Sequence, residues 1–129
     1  MNQIYLFNLY QLKEKFNYAL FKGKQNKTYV LPIMEKDNFV YFCRVQKYTK
    51  NNGVHLLSPI ITQKNTDYFV NFEWIYKTDA KLFLNDTFYI HDDIFKDKIN
   101  PMNEIQILNS FNIILKNKLY RSTTVSYRL

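Results

Sequence analysis

Few side chains in this chain could act as nucleophile, metal ligand or proton carrier. His55 and His91 are the only histidines. His91 precedes Asp92 and Asp93, a donor set suited to a hard cation. Three adjacent residues at a strand end point in different directions, so a turn is the simpler reading of the two aspartates. Cys43 is the only cysteine and closes an apolar run from Phe39. One thiol makes neither an internal disulfide nor a thiolate zinc site. It reads as a small buried hydrophobe rather than a nucleophile. There is no G-x-S-x-G elbow, and two glycines in the whole chain leave no Walker or dinucleotide-binding loop. The residues therefore suggest no metal and no cofactor.

What remains is positive charge close to aromatic rings. Lys22, Lys24 and Lys27 share a polar stretch with Gln25 and Asn26, and Arg44, Lys47 and Lys50 follow, interleaved with Tyr41 and Tyr48. Cations neutralise phosphates and rings stack unpaired bases, which is the chemistry of a single-stranded nucleic-acid surface. The competing reading is a solvated lysine face over a packed aromatic core. With 11 Tyr and 11 Phe, most rings must be packing. Total charge decides little: lysine, asparagine, isoleucine, tyrosine and phenylalanine all have AT-rich codons, so codon composition alone inflates them. Placement is more informative. Residues 13–50 hold nine Lys/Arg against Glu14, Glu35 and Asp37, which is +6 of the formal +7. The scarcity of acid there leaves one positive face.

The elements that position these groups read as a single domain over 1–121, with 122–129 as a loose tail. Length and a 47% hydrophobic content suit one globular core. Residues 4–8 fit a short strand, and Leu9, Leu12, Phe16 and Leu20 predict a helix over about 8–21. Strands follow over 28–34, 39–48, 55–62, 68–76 and 87–91. Turns fall at 35–38 and at Asn51-Asn52-Gly53, and Pro59 marks an edge or bulge. Asn100 and Pro101 open a last helix whose broad apolar face, Met102 to Leu119, is core or a partner surface. The fold class is α+β: a small, strongly curved antiparallel sheet or an SH3-like barrel with an N-terminal and a C-terminal helix. The first ten residues carry no lysine and no cleavage-site pattern, and no run of 18 apolar residues exists. These features predict a cytoplasmic protein without a membrane segment.

The middle of the chain resembles the PemK/MazF-like toxins. The feature that carries the likeness is a strand ending in a Pro-containing turn with Thr/Ser, here Ser58-Pro59-Ile60-Ile61-Thr62-Gln63, followed by the strand from Asp67 to Phe72. The opening order of elements is closer to the related ToxN-like toxins, which pair with an RNA antitoxin. The likeness covers about residues 25–119. It implies a metal-independent endoribonuclease that cuts single-stranded RNA on a compact barrel, held in check by a cognate protein or RNA antitoxin. By position, Thr62 would bond the phosphate, and Lys27 with Lys24 would stabilise the transition state. Gln63, Lys64, Arg44 and Lys47 would hold substrate, and His55 would be a further acid or base. The chain departs from the family where an arginine is expected in the first basic loop. It has Lys24 and Lys27 there, and lysine lacks the bidentate fork. The alternative is a non-catalytic small binding protein, such as an inhibitor of a nucleic-acid enzyme, that docks through its basic face or last helix. The last helix would also serve a homodimer.

Overall fold

The computed structural model describes residues 3–21, 28–47, 60–63, 66–90, 101–117 and 121–125. Its elements run β1 (Tyr10–Leu12), α1 (Glu14–Phe21), β2 (Tyr29–Lys36), β3 (Phe39–Lys47), β4 (Ile60–Gln63), β5 (Thr66–Asp79), α2 (Ala80–Asn85), β6 (Thr87–Tyr89), α3 (Pro101–Asn117) and β7 (Arg121–Val125). The protein is α+β. One sheet has the order β4-β5-β3-β2-β1-β6, all neighbours antiparallel, and it does not close into a barrel among the described residues. β7 adds a parallel pairing to β5. Since β3 lines one edge of β5, β4 and β7 share the other edge end to end. Residues 121–125 are thus a strand, where polarity alone suggests a loose tail. Ser-Thr-Thr-Val is also a β-prone run, and an open half-edge on β5 receives it.

β3 is the central strand and is buried on both faces. Val40 and Phe42 point to one side, and Cys43 and Val45 to the other. On the first side Phe16 of α1 and Phe83 of α2 pack on Phe42. On the second side Ile107, Phe111 and Ile114 of α3 cover Leu31, Cys43, Val45, Val70 and Phe72. Among the described side chains of α3, that stripe enters the core, with Leu115 partly buried against it. Ile105 and Leu108, part of the broad apolar face expected from the sequence, are 59% and 43% exposed.

Two irregularities curve the sheet. In β2 the register shifts between Pro32 and Met34. Pro32 has no N–H, and it stands beyond the end of the β1 ladder, so its missing donor falls in an already irregular stretch. In β5 the shift is larger: Phe42 pairs with Tyr76, yet Arg44 pairs with Asn71. The residues between Asn71 and Tyr76 bulge and re-aim the side chains around them.

The hairpin between β2 and β3 turns on Asp37 and Asn38, at φ 55° and 66°. Positive φ at both central residues matches the twist of a two-residue hairpin, and Asp and Asn tolerate it. Asn38 also accepts a hydrogen bond from the Ala80 N–H through its carbonyl. Replacing Asn38 with valine should cost about 1–2 kcal/mol through the forced left-handed backbone, whereas Asn38→Gly should cost nothing. The urea midpoints of the two variants measure this.

The start of the chain differs from expectation. Residues 4–8 are not a strand, and the first helix begins at Glu14 rather than near residue 8. The Asn8 N–H donates to the Tyr5 carbonyl, the Asn8 side chain donates to the Leu6 carbonyl, and Phe7 sits at φ 61°. Asparagine closes a turn here that apolar alternation alone does not reveal. Leu9 and Leu12 are buried as helical spacing requires, but from a loop and a strand.

Candidate functional site

The expected site residues divide into three groups. Lys24, Lys27, His55 and Lys64 lie outside the described residues, as do His91, Asp92 and Asp93. The segment holding Lys22, Lys24 and Lys27 leaves from Phe21 at the end of α1 and returns at Thr28, just before β2.

Thr62 and Gln63 belong to β4, and register places them. Thr62 pairs with Asp67, and Ile61 pairs with Tyr68, which pairs in turn with Lys47 of β3. Lys47 and Thr62 are therefore two strands and one step apart, about 10 Å between Cα atoms. Lys47 is exposed, and Tyr68 beside it is half-buried against the α3-side core. At this end of the sheet the Gln63 position shares a face with the Lys47 ammonium and the Tyr68 ring, and the Thr62 position falls on the other face.

Arg44 lies elsewhere. It faces the opposite side of β3 from Val45 and Lys47, by the two-residue alternation of a strand. Four steps along β5 separate its row from that of Thr62, and the two lie two strands apart, so their Cα atoms are about 16 Å distant. No single phosphate reaches both. Tyr41, expected beside Arg44, packs on the α3-side core instead, with the Lys77 ammonium 5.7 Å from its ring centre.

The surroundings of Arg44 were not legible in the sequence. Its guanidinium lies 4.2 Å from the centre of the Phe21 ring. Phe21 meets Tyr76 edge-on at 6.0 Å, and Trp74 stacks on Tyr76 at 6.5 Å and 20°. Cross-strand neighbours are Val30 and Asn71, and the Asn71 amide donates to the Gln46 side-chain oxygen at 2.7 Å. Burial pushes the Arg44 pKa downward, and Tyr76 opposes the effect. The group remains a cation at neutral pH, since guanidinium does not deprotonate in proteins. Its Nε is buried and has no hydrogen-bond partner. The only signals in the sequence were the single tryptophan and the arginine itself. The bulge in β5 that puts Trp74 and Tyr76 on the face of Arg44 leaves no compositional trace.

Cys43 is fully buried, as its apolar neighbours indicate, and desolvation holds its thiol well above the usual range. A thiol so placed is not a nucleophile. A thiol reagent such as DTNB should leave the folded protein unmodified and react with one equivalent in urea. Stoichiometric reaction without denaturant would contradict the burial. Among the described residues no His, Cys, Asp and Glu side chains gather into a group that could hold a metal, and no helix is long and apolar enough to cross a membrane.

The fold and the site together define an α+β protein with an open curved sheet, a cation-aromatic cluster on one face and a polar, basic sheet end. Compared with known proteins, the chain matches no family model and no curated protein.

Proposed function

We propose that the protein is a cytoplasmic, metal-independent endoribonuclease toxin that cuts single-stranded RNA and is neutralised by a cognate antitoxin. The observation that supports it best is the register that carries Thr62 and Gln63 to the sheet end occupied by Lys47 and Tyr68. Thr62 belongs to the stretch likened above to the PemK/MazF toxins; Gln63 shares the face of Lys47 and Tyr68, and Thr62 shares that of Arg44.

In the reaction the ribose 2′-oxygen attacks the adjacent phosphorus. Its proton passes to a base, the bond to the 5′-oxygen breaks, and that oxygen takes a proton, leaving a 2′,3′-cyclic phosphate. Negative charge grows on the non-bridging oxygens, so donors aimed at them supply most of the acceleration. Thr62 would give a hydroxyl donor. Lys27, with Lys24, would give positive charge. Gln63, Lys64 and Lys47 would hold the flanking strand, and His55 would move a proton. Expression should arrest growth, and coexpression of the antitoxin should relieve the arrest. Intact cellular RNA with folded protein present would contradict the reading.

A second reading, a non-catalytic binding protein, draws on α3. Ile105 and Leu108 stand exposed beside the buried stripe of that helix. Capture of one stoichiometric partner that survives Thr62→Ala and is lost on Leu108→Lys would favour it.

A further inference from the structure

We propose that Arg44, seated on Phe21 beside Tyr76, is an anion subsite that holds a phosphate of single-stranded nucleic acid other than the one served by Thr62. The proposal deepens the RNA reading above and rests on it for the identity of the ligand.

Three observations converge. The guanidinium is held in place by the Phe21 face, so little side-chain freedom is lost when an anion binds. Its Nε is a buried donor without an acceptor, and buried donors are normally satisfied. The surroundings that the structure shows for its guanidinium are rings, the Phe21 face in contact and Tyr76 as its electrostatic neighbour. A cation already half removed from water gains more from an oxyanion than a solvated lysine does, through short charge-assisted bonds.

The neighbours choose among oxyanions. Trp74 and Tyr76 form a parallel ring stack on the same side of the sheet, and Trp74 is only partly buried. An unpaired base extends such a stack, whereas an acidic peptide gains nothing from it. The Gln46–Asn71 amide pair lies on the path from Arg44 toward β4. A strand lying along this face would meet Arg44 first and the sheet end about 16 Å further on, a span of more than one phosphate.

Trp74 is the only tryptophan, so its fluorescence reports on this face alone. The probe is a short oligothymidylate, which lacks the 2′-hydroxyl and is not cut by the proposed reaction. Titration should quench Trp74. Arg44→Gln should weaken binding by about tenfold or more, the worth of a charge-assisted pair. It should also lower the slope of log K against log salt by about 0.7, one phosphate contact on a single strand. Arg44→Lys should keep the salt slope and lose part of the affinity. If Arg44→Gln also lowers the melting temperature, Arg44→Lys decides, because it keeps the charge on the fold. Unchanged affinity and slope in Arg44→Gln overturns the subsite. So does quenching by oligoglutamate but not by oligothymidylate, which would make the ligand an acidic peptide. RNA cleavage with wild-type binding by Arg44→Gln would remove the subsite and leave the enzyme. Arg44-dependent binding with RNA left intact would do the reverse.

Discussion

Phe42→Ala is expected to be the most destabilising single substitution in the chain, at about 3–5 kcal/mol. Phe42 is fully buried on the central strand. Its ring stacks on Tyr76 at 5.4 Å, meets Phe16 edge-on at 5.9 Å and lies 5.4 Å from Phe83. One side chain therefore joins β3 to β5, α1 and α2. Removing it leaves a cavity walled by three rigid rings, which cannot collapse into the space. A domain of this size is stable by about 5–15 kcal/mol in all, so the variant should melt roughly 10–20 °C lower or fail to fold. Tyr18→Ala is the control. Tyr18 is 63% exposed, and its loss should change stability by no more than about 0.5 kcal/mol. A loss below 1 kcal/mol for Phe42→Ala in thermal melts would contradict a core organised around this residue.

Thr62→Ala and Lys27→Ala should each slow RNA cleavage by about 10²–10³-fold, the usual effect of removing one donor to a developing oxyanion. Neither should move the melting temperature far: β4 is a short edge strand, and Lys27 belongs to a polar run of the sequence. The two losses should not add in the double variant, because both groups would stabilise the same charge. Initial rates on a labelled single-stranded RNA measure this. Equal rates for Thr62→Ala and wild type would remove the threonine from the chemistry and return it to being a strand-end residue.

β2, β3, β5 and β6 were legible because their signals are local, whereas β1 lies within the expected first helix. Alternation and β-branched residues mark β2, β3 and β5, and the Asp37–Asn38 turn falls inside the expected 35–38. The burial of Cys43 was legible from its neighbours, and the start of α3 from Asn100-Pro101. What was not legible depends on partners distant in sequence. Residues 121–125 become a strand because β5 leaves half an edge open, which no local pattern records. Ala80–Asn85 becomes a helix because the Asp79 carboxylate accepts from the Lys81 and Leu82 N–H groups at 2.8 and 3.3 Å, a cap on too short a helix to show periodicity. The openness of the sheet follows from strand order and not from strand content. The site divides the same way. Arg44 and Lys47 look like one basic run, yet strand alternation sends them to opposite faces. Arg44 and Phe21 are 23 residues apart, and the fold makes them neighbours.

The most direct test of the central claim is incubation of the purified protein with total RNA in excess EDTA, with the fragment ends identified. Discrete fragments carrying 2′,3′-cyclic phosphates and 5′-hydroxyls are expected, formed by wild type and not by Thr62→Ala. RNA that stays intact with folded, oligothymidylate-binding protein would contradict the claim.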